Sequence, residues 1–350
     1  MKILTIVGAR PQFVKSAAIS KEFQLRGINE IIVHTGQHYD KNMSKIFFDE
    51  LNIPKEKYNL DINQLSHGAM TGRMMEKIES ILCIEKPDYL LVYGDTNSTL
   101  AGAVAASKLH IDIIHIEAGL RSFNRRMPEE INRVITDNLS KFLFCPSSES
   151  VKNLDAEGIN NSNSCVHIVG DIMKDTVELF NNSLKKQNKS FDIFVTIHRE
   201  ENITNRQKLS SIISALNHLS KDFSICFPIH PSTQNWIKKL DLKLDFKTIE
   251  PLSFTETLST IKQTKLVITD SGGLQKEAYY LKRPSLIVRE QTEWIEMLQE
   301  DVNTLCPANY ITIIDTVNLK IGKNYKFNES IYGEGNSAKK ICDVLLSNGG

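Results

Sequence analysis

Along the first half of the chain, short apolar runs alternate with longer stretches of helical periodicity. "KILTIVG", "EIIVHTG", "DYLLVYGD", "DIIHIEAG" and "FLFCPS" are each preceded or followed by an amphipathic segment. Runs that are apolar throughout suit strands buried on both faces, and their alternation with helices is the rhythm of a parallel sheet. The rhythm pauses at "VHIVGDIMKDTVELFNNSLKKQNKS", where a helix enters a polar, Asn/Lys/Ser-rich segment. It resumes with "FDIFVTIH", "FSICFPIHP", "FKTIEPL", "KLVITDSGG" and "RPSLIVRE". The pattern predicts an α/β protein of two Rossmann-like, doubly wound domains, residues 1–172 and 173–335. A short terminal helix over 336–350 is free to pack back on the N-terminal domain.

Ligands of open parallel sheets bind beyond the carboxyl ends of the strands. The residues in those places are polar here. In the first half they include Arg10 and Lys15, Gln37 and His38, Asp95, and then His115, Glu117 and Arg121. In the second half they are His198, Arg199 and Glu200, His230, Asp270 to Gly273, and Arg289. Two such rims facing each other would line one deep cleft.

Length and composition narrow the class. The chain has 350 residues, enough for two cores, with 41% hydrophobic and 24% charged residues. Forty-two acidic residues balance 42 basic ones, which argues against a nucleic-acid partner held by bulk charge. The six cysteines form no CxxC pair and several sit in apolar runs, so buried thiols in a reducing cytoplasm are expected. The opening "MKILTIVGARPQ" is charged too early for a signal peptide, and no apolar run approaches the length of a membrane span. His38, His115, His198 and His230 are scattered and no HExxH-type cluster exists, so no metal site is expected.

The motif "TDSGGLQKEA" places Ser271, Gly272 and Gly273 where a helix N-terminus has free N–H groups and a phosphate can approach closely. An ordinary strand-to-helix turn has the same look. Glu277, about a turn inside, is placed to accept ribose hydroxyls while the helix mouth holds phosphates; its plain alternative is a solvent-facing glutamate paired with a lysine. "GARPQFVKS" lacks the GxGxxG spacing of a dinucleotide site, leaving Arg10 and Lys15 as candidate anion contacts. Asp95 reads first as an N-cap of the Ala-rich helix that follows it. Glu117 directly after an apolar strand is a partly desolvated carboxylate suited to acid or base work. In "MPEEINRVITD" a proline opens a helix, and Glu129 stands four residues before Arg133, the spacing of a salt bridge. His198 and His230 each follow a strand; either is a hydrogen-bond donor to an oxygen gaining charge or a residue of the loop scaffold.

In order and spacing, "GARPQFVK", "GQHYD", "GDTNSTLAGA", "HIEAGLRS", "PEEINR", "HREEN", "PIHP" and "DSGGLQKEA" resemble the motifs of the non-hydrolysing UDP-N-acetylglucosamine 2-epimerases over nearly the whole chain. The resemblance implies a glycosyltransferase-B-like architecture, a UDP-sugar substrate, no cofactor, a homodimer in the cytoplasm without nucleic-acid or membrane partners, and a place in surface-polysaccharide precursor synthesis. It implies Asp95, Glu117 and Glu129 as acid/base carboxylates, Arg10 and Lys15 as active-site cations and His198 as the catalytic histidine. Ser271, Gly272 and Gly273 would hold the diphosphate and Glu277 the ribose, with His230 and Arg133 as further substrate contacts. The implied chemistry is anti elimination of UDP from C1 with loss of the C2 proton, giving a 2-acetamidoglucal, and re-addition with the proton returned on the other face.

Two departures stand out. Many members carry Arg-Pro where this chain has Trp294 and Ile295 in "TEWIE", a version that resembles enzymes acting on other UDP-2-acetamido sugars. "LSHGAMTG" lacks an arginine that accompanies Gln37 and His38 in members activated by a second UDP-N-acetylglucosamine, so that activation is not carried over. A hydrolysing relative releasing N-acetylmannosamine, a UDP-sugar glycosyltransferase of the same architecture, and a non-catalytic nucleotide-sugar sensor are the alternatives.

Overall fold

The computed structural model describes residues 1–37, 50–182, 184, 190–298 and 301–348; His38 and its neighbours lie outside them. The chain divides into two compact units: Met1–Leu179 together with Tyr332–Gly350, and Phe180–Ile331.

The first unit is built on seven parallel strands: β1 (Lys2–Val7), β2 (Asn29–His34), β3 (Tyr58–Asn59), β4 (Tyr89–Tyr93), β5 (Asp112–Ile116), β6 (Phe142–Cys145) and β7 (Cys165–Ile168). Their order is β3-β2-β1-β4-β5-β6-β7. The inner strands are mainly apolar because both faces are covered. One face packs Leu4, Ile6, Val33, Leu90 and Val92 against Met74, Ile78, Ala101 and Ala105 of the helices His67–Glu85 and Asn97–Lys108. On the sheet, strand order reverses between β1 and β4, so their carboxyl ends open a crevice there. The terminal helix Ser337–Asn348 packs on the helix Arg10–Arg26, with an ion pair of 2.6 Å between Arg26 and Asp343.

The second unit carries β8 (Ile193–Thr196), β9 (Ile225–Cys226), β10 (Leu266–Thr269), β11 (Ser285–Ile287) and β12 (Asn303–Leu305), all parallel, in the order β12-β11-β10-β8-β9. Its core gathers Ile193, Val195, Leu216, Phe227, Leu266, Ile268, Leu286 and Val317. Here the reversal falls between β8 and β10. The α/β class and the parallel sheets expected from the alternation are therefore present. Two details differ. "FKTIEPL" forms only a single bridge, Pro228 to Ile249, because Pro228 has no N–H to extend the ladder and Pro251 ends the run. The edge strand β12 comes from "NTL", too short and too polar to signal a strand by periodicity.

No helix among the described residues is long and apolar enough to cross a membrane. None of the six cysteines, all among the described residues, is in a disulfide, and four of them are buried.

Candidate active site

The first crevice is closed underneath by a residue that the motif reading passed over. Gln12, in the first turn of its helix, accepts from the backbone N–H groups of Gly8 and Ala9 at 2.8 and 3.1 Å. Its amide nitrogen donates to the Tyr93 carbonyl and to the hydroxyls of Thr96 and Thr99, each at 3.0 Å. One buried side chain thus ties the exit of β1 to the exit of β4. Gly8 makes this approach possible: a Cβ there would lie 2.1 Å from Thr35 Oγ1 and 2.3 Å from Ser98 Oγ.

Around this floor the structure brings together several of the expected residues. Lys15 Nζ meets Glu117 Oε2 at 2.5 Å, both side chains less than a tenth exposed. Gly94 (φ 61°) lies against the pair, with its missing Cβ 3.5 Å from Lys15 Nζ and 3.7 Å from Glu117 Oε1. Glu117 itself holds φ at 75°, a left-handed conformation unusual for a side-chain-bearing residue. Asp95 is not the N-cap of the next helix. Thr96 takes that position and accepts from the Thr99 N–H. Asp95 is instead released to accept from Arg133.

Arg133 also corrects the expected helix pairing. Its Nη1 donates to Glu130, three residues back, at 2.6 Å. Glu130 is on the buried face of the helix Pro128–Leu139, and its carboxylate also accepts from the backbone of Ser122 and Phe123 at 2.9 Å. Burial works against the charged form of Glu130, but these N–H donors and Arg133 outweigh it and hold its pKa low. Glu129 stays half-buried in the first turn of that helix. Asn132, also unanticipated, donates to the Asp95 carbonyl at 2.9 Å.

His115 and Arg121, read as rim residues, are in fact buried. His115 donates from Nδ1 to Asp137 at 2.7 Å and from Nε2 to the Gly94 carbonyl at 2.8 Å. Arg121 donates to the other Asp137 oxygen at 2.7 Å and makes a two-pronged contact with Glu157 at 2.8 and 2.7 Å. Burial alone would raise the Asp137 pKa; His115 and Arg121 together lower it. Asp137 gave no sequence signal, since an aspartate inside an amphipathic helix reads as solvent-facing.

In the second unit the equivalent tie is Asp270. Fully buried, it accepts from the backbone N–H groups of His198 and Arg199 and from the Asn202 amide, at 3.0 to 3.1 Å. It thereby joins the exits of β8 and β10. The His198 imidazole lies 3.4 Å from the same carboxylate and 42% exposed, and its ring centroid is 6.2 Å from that of His230. His230 caps the helix Pro231–Lys239 by accepting from the Ser232 N–H.

Ser271 caps the helix Gly272–Tyr280 through the Leu274 N–H. A Cβ on Gly272 would sit 2.7 Å from Glu293 Oε1, whereas Gly273 has open space around it. Glu293 is held by Arg289 at 3.0 Å. Glu277 is not a solvent-facing helical glutamate: it is 5% exposed. Trp294 is buried too, with Lys276 Nζ 3.8 Å above its ring centroid, so a cation–π contact occupies the position where an arginine was missed. Among the described residues no three His, Cys, Asp or Glu side chains are grouped to hold a metal ion.

A family model described as UDP-N-acetylglucosamine 2-epimerase matches residues 21–346. The UDP-2,3-diacetamido-2,3-dideoxy-D-glucuronate 2-epimerase of Pseudomonas aeruginosa is 45% identical over 351 residues, covering 99% of both chains. A UDP-N-acetylglucosamine 2-epimerase homologue of Methanococcus maripaludis is 46% identical, again over 99% of each. The crystal structure of the Methanocaldococcus jannaschii UDP-GlcNAc 2-epimerase in complex with UDP-GlcNAc and UDP is similar at a TM-score of 0.89, with 39% identity, over 99% of this chain and 100% of that one.

Proposed function

Since the chain belongs to the UDP-N-acetylglucosamine 2-epimerase family, we propose that it inverts C2 of a UDP-2-acetamido sugar by the non-hydrolysing route. The C2 hydrogen of such a sugar is not beside a carbonyl, so simple removal and return is very difficult. Elimination avoids this. A base takes the C2 proton while the C1–O bond breaks and UDP departs with the bonding electrons; UDP then adds back to C1 as a proton arrives at C2 from the opposite face.

The observation that carries the reading is the buried Lys15–Glu117 pair beside Gly94, the chain neighbour of Asp95, which is itself held by Arg133. Such a set offers proton-handling carboxylates and a cation where negative charge develops. We assign proton transfer to Asp95, Glu117 and Glu129, and charge stabilisation on the departing diphosphate to Arg10, Lys15 and His198. Ser271, Gly272 and Gly273 would receive the diphosphate at the helix mouth, Glu277 the ribose, with His230 and Arg133 as supporting contacts. On this reading residues 1–172 form the catalytic domain and 173–335 the UDP-binding domain, with 336–350 as a terminal helix. The substrate we propose is UDP-N-acetylglucosamine, epimerised to UDP-N-acetylmannosamine, or a closely related UDP-2-acetamido sugar, and the Pseudomonas relative makes a diacetamido uronate the second sugar to assay.

The test is proton NMR in D2O with each of the two UDP-sugars. Deuterium entering C2 as a second UDP-sugar grows to a constant ratio is expected for one of them. Free 2-acetamido sugar plus UDP would establish the hydrolysing reaction instead, and no exchange with either sugar would overturn the proposal. The same reading includes a cytoplasmic homodimer. Ile131, Ile135 and Leu139, an exposed stripe on the helix Pro128–Leu139, are the surface we assign to it. A monomer mass by light scattering would refute that assignment.

A further inference from the structure

Asp95 and Glu117 sit on two separate turns, after β4 and after β5, and both turns contain left-handed residues. Gly94 has φ 61°, Glu117 75° and Gly119 77°. A non-glycine residue in that region is strained and persists only where its surroundings over-determine it. Those surroundings are one buried network. Asp137 Oδ1 accepts from His115, two residues before Glu117, and Asp137 Oδ2 accepts from the Gly119 N–H at 3.2 Å, two residues after it. Arg121 reaches the same oxygen at 2.7 Å. One carboxylate therefore grips the Glu117 turn from both sides.

The network also crosses to the other turn. His115 Nε2 donates to the Gly94 carbonyl at 2.8 Å, and the Gly94 N–H donates back to the Ile116 carbonyl at 3.0 Å. Gly94 is covalently next to Asp95 and lies against the Lys15–Glu117 pair. His115 and Asp137 are completely buried. They do not line the crevice, so a role in contact with substrate is excluded by geometry.

We propose that His115, held by Asp137, is a positioning residue that sets the spacing between the Asp95 and Glu117 carboxylates for the elimination through its arm to Gly94. This rests on the epimerase reading above. Satisfying buried donors would by itself explain why such a network is stable. Positioning predicts more: the arm to Gly94 should control turnover separately from folding. The two arms are separable by side-chain shape. In His115→Asn the amide nitrogen replaces Nδ1 and keeps the arm to Asp137 while losing the arm to Gly94. In His115→Gln it replaces Nε2 and keeps the arm to Gly94.

The experiment measures C2 hydrogen–deuterium exchange and epimerisation of the UDP-sugar by wild type and by both variants, below their measured Tm, with UDP affinity determined by calorimetry. His115→Asn is expected to lower kcat roughly 100-fold, the scale of a misplacement near 1 Å, with KM and UDP affinity within about threefold of wild type. His115→Gln is expected to recover kcat to within about tenfold. Folded variants that both exchange at the wild-type rate, or that lose activity only in proportion to lost folded protein, would overturn positioning. Where His115→Asn does not fold, His115→Ser takes its place, since it too lacks the arm to Gly94, and should show the same kcat loss at unchanged KM. Absence of exchange by the wild-type protein with either sugar is a different result: it removes the epimerase reading, and the proposal with it.

Discussion

Gly8 leaves no volume for a side chain, since an added methyl would overlap the hydroxyls of Thr35 and Ser98, which are themselves 2.7 Å apart. Neither hydroxyl is the far end of a long flexible chain, so the backbone must move. Gly8→Ala is expected to destabilise the protein by about 1–3 kcal/mol, read as a lower urea midpoint at unchanged m-value. Glu117 makes the opposite kind of demand. Replacing it by glutamine leaves Lys15 buried opposite a neutral amide and removes one proton-handling group. Glu117→Gln is expected to slow C2 exchange roughly 10²–10⁴-fold. UDP affinity measured by calorimetry should change far less, because the helix mouth at Ser271 to Gly273 and Glu277, proposed to hold the diphosphate and ribose, are left unchanged.

At the scale of elements, the terminal helix shows how a distant segment is fixed by one acid. The Ala338 N–H at its start donates to Asp175 Oδ1 at 2.9 Å, and Lys174 Nζ holds the Gly333 carbonyl at 2.9 Å. Close packing reinforces this, as a Cβ on Gly170 would lie 2.7 Å from the Tyr332 carbonyl oxygen. Burial pushes the Asp175 carboxyl up to about 6 from an ordinary value of 3.8, against the pull of the Ala338 and Ser337 donors. A folded pKa above the unfolded one means that the fold favours the neutral acid. This contribution is therefore fully present below about pH 4, declines between about pH 4 and 6, and is absent above that window. Its size is of the order of 3 kcal/mol. Asp175→Asn keeps an acceptor and cannot ionise. Relative to wild type, its stability in urea should rise by roughly 2–3 kcal/mol from pH 4 to pH 7; a constant difference would show that Asp175 does not titrate in that window.

For the whole molecule, the two units are unlike in how the chain makes them. Phe180–Ile331 is one continuous segment with its own sheet and core, whereas the first unit needs Tyr332–Gly350 to return after it. A fragment of residues 180–331 is expected to unfold cooperatively and to bind UDP, since the helix mouth at Ser271 and the buried Glu277 lie within it. A chain ending at residue 331 should keep that binding. It should also have a lowered Tm, because the helix Arg10–Arg26 loses the cover of Ser337–Asn348. Cooperative unfolding of a fragment that binds no UDP would leave the domain assignment in place and remove the assignment of the UDP site to it.

The alternation of apolar runs with amphipathic stretches was enough to determine an α/β protein with parallel sheets, because strands covered on both faces must be apolar and their crossovers must be helical. Ordered motifs at the strand ends likewise determined the family, since each marks a place where the chain leaves the sheet. Local sequence could not decide which polar side chains meet. Asp95 read as a helix cap until Thr96 took that place, and Glu130 rather than Glu129 faced the interior with Arg133. Gln12, Asp137 and Asp270 act on groups 81, 22 and 72 residues away, at separations that no periodicity records. Hydrophobic pattern is a property of neighbouring residues in the chain. Hydrogen-bond partnership inside a doubly wound sheet depends on strand order, and only the tertiary structure supplies that.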